Sequence, residues 1–298
     1  MKQYKYTLDS SSKKFICPSC NKKRFVRYIE TETGNYAEDH FGRCDREVSC
    51  GFRAYPKSGT FPHLNFTPKV ITPPAPSFID KAIVYRTMSN YEINPLVTYL
   101  INRFGEEATT TVVQEYQVGT AKKFNGSTVF YQIDTDGRVR TGKIMGYDAT
   151  TGKRCKGERG PQITWVHSEI KAPHFHLTQC LFGLHLVNEN TQQVAIVESE
   201  KTALFMRLEF PDYTWLATGS LGGFKHEYLA PLKEYNVLAF PDNGAYDQWH
   251  QTATSMNELG FSIEVSTAIE DASYETGWDL VDVFLFEESK SKKPGDEG

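Results

Sequence analysis

Short apolar runs, each stopping on a carboxylate, set the pattern of the C-terminal half. Residues 194–197 (VAIV) run into Glu198, and residues 237–240 (VLAF) run through Pro241 into Asp242. An unbroken apolar run of this length suits a strand buried on both faces, as in a parallel sheet between helices. After each acid the period turns helical. Residues 199–206 follow the first, and Tyr246, Trp249, Ala253 and Met256 share one helical face after the second. Residues 213–219 (YTWLATG) and 261–269 (FSIEVSTAI) read as further strands. The pattern predicts an α/β domain over residues 181–287, a parallel sheet with flanking helices. Glu198 and Asp242 both stand where a strand hands over to a helix. Ligands of open α/β sheets bind at that edge, and two acids from different strands can hold one divalent cation through oxygen.

Upstream the pattern changes. Asn94-Pro95 reads as an N-cap followed by a proline at the first helical position, opening a helix over residues 96–104 that stops at Gly105. Strand-like pieces follow at 127–134 and 138–148, separated by an Asp136-Gly137 turn. A second turn at Thr151-Gly152 leads into residues 153–160. This is a small α+β subdomain over residues 78–180. Residues 56–77 hold six prolines without periodicity and read as an extended linker. Residues 288–298 are polar and read as a disordered tail.

Residues 1–55 carry the paired cysteines. Cys17 and Cys20 form a C-x₂-C knuckle, and Cys44 and Cys50 a C-x₅-C pair 23 residues later. Residues 24–30 and 35–43, around Thr33-Gly34, read as a hairpin between them. A hairpin with a cysteine pair at each end can gather four thiolates around Zn²⁺. This is a zinc ribbon, with His40 as an alternative ligand to one of the second pair. Cys155 and Cys180 are isolated and read as incidental thiols.

Composition is that of an ordinary globular chain, with 39% hydrophobic residues. No apolar run approaches the length of a membrane span, and residues 1–15 have no apolar core of a secretory signal. A cytoplasmic, reducing compartment is expected, in which cysteines serve as thiols and metal ligands. Charge is unevenly spread behind a net of −4. Residues 1–55 hold 11 basic against 7 acidic side chains, residues 121–160 hold 9 against 4, and residues 181–298 hold 7 against 20. Basic stretches suit a polyanion and the acidic one suits metal sites. In the subdomain, Arg138, Arg140, Lys143, Lys153 and Arg154 lie on turn-linked strands. They are candidates to track a phosphate backbone. In the ribbon, Lys22, Lys23, Arg24, Arg27, Arg43 and Arg46 interleave with Phe25, Tyr28 and Phe41, which suits nucleic acid or simply a solvated basic face. The glycine-rich SLGGF at 220–224 could offer backbone N–H groups to a phosphate. No G-x₄-G-K-[ST] occurs, so the chain carries no P-loop.

VESEKTA (197–203), ATGSLGG (217–223) and FPDNGAYDQW (240–249) together resemble the Toprim domain of bacterial and phage primases. Glu198 matches the family's strand-closing Glu, and Asp242 the first Asp of its Asp-x-Asp. Two positions depart: Ser199 stands for the usual Gly, and Gly244 for the second Asp. GWDLVDVF (277–284) resembles the acidic end of the Toprim core, placing Asp279 with the metal acids and leaving Asp282 to face water. LFGLHL (181–186) resembles the primase junction. The order of zinc ribbon, linker, basic subdomain and Toprim resembles primase-like proteins of bacterial mobile elements that lack a fused helicase.

The resemblance implies metal-dependent synthesis of RNA primers on single-stranded DNA from ribonucleotides, with a separate helicase as a partner. Glu198 would be general acid/base or metal ligand, Asp242 a Mg²⁺ or Mn²⁺ ligand, and Lys201 a phosphate contact. Water, Glu200 or Asp279 would fill the position that Gly244 leaves. Two other classes stay open. One is a non-catalytic DNA-binding accessory factor for excision or mobilisation, favoured by Gly244. The other is a Toprim-type nuclease, which uses similar acids.

Overall fold

The computed structural model describes residues 4–46, 49–56, 74–157 and 160–291. The chain forms two compact units, residues 1–73 and 74–298.

The first unit is an antiparallel sheet built on one long strand. Strands β1 (Tyr6–Leu8) and β2 (Phe15–Ile16) both pair with β3 (Lys23–Glu30). Strand β4 (Gly42–Cys44) pairs with β3 on one side and β5 (Arg53–Ala54) on the other. The expected hairpin is present: an Ile29–Tyr36 bridge follows the turn at Gly34, and Phe25 pairs with Cys44. Gly42 permits the close approach, since a Cβ there would lie 2.3 Å from the Val26 carbonyl oxygen and 2.5 Å from the Phe25 ring. Among the described residues the buried cluster is Cys17, Phe25 and Cys44, with Phe15 and Phe52 against it, and Val26 is also buried. So small a core needs a further tie.

The proline-rich segment 57–73 lies outside the described residues, as do residues 292–298 of the expected tail. Residues 288–291 are the last turn of a helix.

The second unit opens with α1 (Lys81–Thr87), α2 (Pro95–Phe104) and α3 (Glu106–Glu115). Asn94 starts α2 as its sequence predicts. It is buried, and its side-chain oxygen accepts from the Val97 amide at 3.4 Å and from the Thr128 hydroxyl at 2.8 Å. Its amide donates to Thr120 Oγ1 at 3.2 Å. Next comes an antiparallel sheet of β6 (Gly119–Ala121), β7 (Ser127–Ile133) and β8 (Val139–Met145). A small hairpin of β9 (Lys156–Gly157) and β10 (Gly160–Pro161) precedes the edge strand β11 (Ile163–Trp165) and the short α4 (Val166–Glu169). The sheet order is β11-β8-β7-β6.

The last part holds β12 (Val194–Val197), α5 (Glu200–Glu209), β13 (Thr214–Ala217), α6 (His226–Leu229), β14 (Asn236–Phe240), α7 (Tyr246–Asn257), β15 (Ser262–Val265) and α8 (Leu280–Ser291). The four strands form an all-parallel sheet in the order β13-β12-β14-β15, as the apolar runs predict. One face carries Ala195, Val197 and Trp215 against α5. The other carries Ile196, Val237 and Ala239 against Trp249 and Met256 of α7. Residues 78–180 and 181–287 read as separate modules in the sequence, yet both feed one core. Phe130, Met145 and Tyr147 of the antiparallel part pack in the same cluster as Phe182, Ala195 and Phe205.

Asn94 caps a helix and satisfies buried polar groups, so Asn94→Ala removes both. A loss of about 2 kcal/mol is expected. Urea denaturation should show a lower midpoint with an unchanged slope.

Candidate functional site

In the first unit the sulfurs of Cys17, Cys20, Cys44 and Cys50 lie within 4.8 Å of one another. All four are free thiols. The Cys17–Cys50 and Cys20–Cys44 separations are 3.8 and 3.9 Å. Tetrahedral Zn²⁺ with bonds of about 2.3 Å requires edges of about 3.8 Å, so the cage fits zinc. The knuckle is shaped by a turn in which Asn21, at φ 53°, donates its amide to the Cys17 carbonyl at 3.0 Å. Burial pushes the Cys44 thiol up to about 12. Burial also opposes ionisation of Cys20, but the Lys22 amide and neighbouring thiols bring it down to about 7. His40, the alternative ligand, is exposed, lies tilted against the Phe41 ring and stays out of the cluster. On the ribbon's basic face, Phe25 is core, and Arg27 is bound to Asp39 at 2.7 Å and lies over Phe15 and Tyr36. Lys22, Lys23 and Arg24 are exposed.

In the second unit Glu198 and Asp242 come off the carboxyl ends of neighbouring parallel strands. Val197 of β12 is paired with Phe240 of β14, so the acids follow one and two residues beyond a shared register. The Glu198 carbonyl accepts from Gly219 at 2.8 Å. Burial raises the pKa of its carboxyl, against the pull of Arg154, the Leu221 amide and Lys143. The Leu221 amide, in the glycine-rich stretch expected to face phosphate, is thus engaged by Glu198. Asp242 is raised further, to about 8. Burial comes first, then the charges of Glu198, Asp279 and Asp282, with Arg154 opposing.

Asp279 and Asp282 start α8. Asp279 Oδ1 accepts from the amides of Val281 at 2.9 Å and Asp282 at 3.0 Å, and its Oδ2 accepts from the Thr202 hydroxyl at 2.6 Å. Lys201 stands 3.8 Å from the same oxygen. Asp282, expected to face water, is half-buried and accepts from the Asp279 amide at 3.2 Å. Its pKa is raised by burial and by Asp279, with Lys201 and Lys153 opposing. The sequence signal for it is the D-x-x-D spacing at a helix start, where two acids cap and approach each other.

Glu200 is buried, and Lys143 occupies its Oε1 at 2.6 Å. Lys143 also donates to the Gly219 carbonyl at 2.6 Å. Lys143 is therefore an interior cation rather than part of an exposed basic face. Arg138 and Arg140 are likewise engaged. Both donate to Asp134 Oδ2, at 3.0 and 2.8 Å, and both lie 5.0 Å from the Phe78 ring. Asp134 resists burial through the Arg138 amide and the two guanidiniums, which leave its pKa lowered. Lys153 and Arg154 are exposed. Lys153 is felt by Asp282, and Arg154 by Glu198 and Asp242. Of the six cations read as nucleic-acid contacts, Lys153, Arg154 and Lys201 gather around the acids and the other three are tied into the fold.

Gly244 sits at φ +92°, a conformation strained for any residue with a Cβ, and a Cβ there would stand 3.2 Å from Thr276 Cγ2. Among the described residues, the four cysteines are the one group of three or more such ligands within 4.8 Å. The acid oxygens are more widely spread. An all-carboxylate donor set fits Mg²⁺ or Mn²⁺, which bind through one or two carboxylates and keep several waters. Burial first, and the neighbouring negative charges after it, keep Asp242 protonated near neutrality, and a cation would relieve the second of these. A separate cleft of about 450 Å³, lined by residues such as Glu115, His185, Asn190 and Arg207, opens near the amino ends of β12 and β13. Glu198, Asp242, Asp279 and Asp282 do not line it.

Two family models match the chain. That of a domain of unknown function (DUF6371) matches residues 94–243, which include Glu198 and Asp242 but not Asp279 and Asp282. That of a zinc beta-ribbon finger matches residues 4–64. No curated protein matches. The chain is similar to the solved primase fragment of the bacteriophage T7 primase-helicase protein, at 14% identity and a TM-score of 0.45, covering 93% of this chain and 96% of that one. It is similar to the RNA polymerase domain of Mycobacterium tuberculosis primase DnaG, at 14% identity and a TM-score of 0.45, covering 68% and 76%. It is also similar to the E. coli primase catalytic core, at 13% identity and a TM-score of 0.44, covering 70% and 74%. No helix among the described residues is long and apolar enough to cross a membrane.

Asp242 holds its proton up to about pH 8 in the folded chain, whereas its ordinary value is 3.8. Between those values the folded state binds more protons than the unfolded one, so stability falls as pH rises from about 4 to about 8. In zinc-loaded, Mg²⁺-free protein, urea midpoints should fall across that window. Asp242→Asn should flatten much of the slope, and added Mg²⁺ should restore stability at pH 8 in the wild type.

Proposed function

The chain belongs to the DUF6371 domain family, and we propose that it acts on single-stranded DNA as a primase-like nucleotidyltransferase. The observation that carries this reading is the convergence of Glu198, Asp242, Asp279 and Asp282 at the carboxyl edge of a parallel sheet, rimmed by Lys153, Arg154 and Lys201. The Toprim-like motifs that hold Glu198 and Asp242, and the zinc ribbon that precedes them in the chain, support it.

The roles follow from position. Glu198 and Asp242, with Asp282 beside them, would hold Mg²⁺ or Mn²⁺, which when bound neutralises the phosphates of a ribonucleoside triphosphate. Arg154 and Lys153, exposed at the rim, bind those phosphates or the template backbone. Lys201 reaches the same edge from α5. As the alternative to ligating the ion, Glu198, its carboxyl raised by burial, accepts the proton of an attacking 3′-hydroxyl. Asp279 is committed to capping α8 and to Thr202, and it serves to place Asp282. Glu200 is paired with Lys143 and lies near Glu198. Phosphoryl transfer depends on positioning and charge neutralisation, which this set supplies. The substrates are single-stranded DNA and ribonucleotides, and strand opening would fall to a separate helicase.

A second reading is a DNA-binding accessory factor without chemistry. Gly244 favours it, because its positive φ leaves no unstrained place for the carboxylate that the resembled family carries there.

A primer-synthesis assay on single-stranded template with ribonucleotides and Mg²⁺ or Mn²⁺ separates the two. Glu198→Gln should lower product at least about a hundredfold. Gly244→Asp should not raise it, given the strain at that position. If wild type and Glu198→Gln both yield none while both still bind DNA, the accessory reading replaces the enzyme.

Cations at the rim and cations tied into the fold should differ in DNA binding. Arg154→Ala should weaken single-strand binding and flatten the log–log salt slope by about 0.7 per lost phosphate contact. Arg138→Ala should leave the slope within error. Filter binding across a salt series reads both.

A further inference from the structure

The turn that follows Asp242 is attached to a segment without regular structure, residues 270–278, by a set of hydrogen bonds centred on Asn243. Asn243 is buried. Its Nδ2 donates to the carbonyls of Asp271 at 3.2 Å, Tyr274 at 3.0 Å and Glu275 at 3.3 Å. Its backbone N–H donates to the Trp278 carbonyl at 2.9 Å, and its carbonyl accepts from the Gly277 amide at 2.8 Å. The neighbouring Gly244 amide donates to Glu270 Oε2 at 3.1 Å. One side chain and two backbone groups of a single residue thus hold both ends of the segment. The segment leads directly into Asp279 and the start of α8.

Negative charge on the segment works against this attachment. Asp279 and Asp282 repel Asp242, and Asp271 and Glu275 add to the negative charge of the segment. Carboxylates drift apart unless something holds them, since like charges in a partly buried place cost more than in water. The amide of Asn243 carries no charge and offers two N–H donors to the three carbonyls. A carboxylate of the same shape has no donor and would add to the repulsion.

We propose that Asn243 is a positioning residue that holds Asp279 and Asp282 against Asp242, so that carboxylates from three separate parts of the chain serve one cation. The tie replaces, through the 270–278 segment, the carboxylate that Gly244 does not supply. The inference rests on the reading of the acid cluster as a divalent-cation site.

The experiment uses the full, zinc-loaded chain with Mn²⁺ alone as probe. Free Mn²⁺ is followed by EPR, and the water on bound Mn²⁺ by proton relaxation. Asp242→Asn tests the cation site, and Asn243→Ala tests the positioning. Wild type should bind Mn²⁺, and Asp242→Asn should lose that binding. Asn243→Ala should bind at least about tenfold more weakly. The ion it does bind should carry more exchangeable water than in wild type, with zinc content and far-ultraviolet circular dichroism unchanged. If Asn243→Ala does not fold, Asn243→Ser, which keeps one donor, decides by the same criteria. Mn²⁺ affinity and hydration within twofold of wild type in the folded Asn243 variant, with Asp242→Asn having lost binding, overturns the positioning role alone. Unchanged affinity in Asp242→Asn removes the cation site and this inference with it.

Discussion

Four carboxylates crowded at one sheet edge repel each other, and much of the larger unit is arranged to keep them there. Glu198 and Asp242 are brought side by side by the pairing of β12 with β14, which cannot slip without moving its apolar side chains out of both cores. Asp279 and Asp282 sit at the start of α8, where free amides and the helix dipole favour negative charge. The chain relieves part of the remaining repulsion by leaving Asp242 protonated near neutrality and by placing Arg154, Lys153 and Lys201 around the rim.

The ribbon solves an opposite problem. Its core holds one fully buried aromatic ring, Phe25, between two cysteines, too little apolar area for its length. The four sulfurs stand at the spacing of a zinc tetrahedron, and strand β3 carries the pairing for the rest. Here charge is concentrated to attract a metal that folds the unit. In the larger unit the fold comes first and the charge is concentrated upon it.

The parts legible in the sequence are those set by local pattern. The apolar runs before Glu198 and Asp242 placed two neighbouring parallel strands, Asn94-Pro95 placed the start of α2, and the cysteine pairs placed the sulfur cage. Lys143 is different. Among turn-linked cations it reads as a surface contact, because nothing near it names the partner, Glu200, 57 positions away. Arg138 and Arg140 look free for a related reason: Asp134 reads as the end of a strand, not as the partner of two guanidiniums. Asp282 reads as solvent-facing until the helix it caps is seen against Asp242. Asn243 reads as a turn residue, which it is, but its partners lie some 28 to 35 residues further on. Local pattern writes strands, caps and knuckles into the sequence, whereas pairings between distant polar groups are decided only when the layers close.

The Lys143–Glu200 pair bears on how the chain can be taken apart. It is buried between β8 of one sheet and the first turn of α5 beside the other, within a unit whose two sheets feed one core. Cutting between them leaves each ion without its partner on a surface that was interior, and opens the shared apolar cluster to water. A fragment holding only the parallel sheet with its acids would therefore be a poor miniature of the site, exposing core and an orphan glutamate together. The second unit keeps the acid cluster, this ion pair and the shared core together.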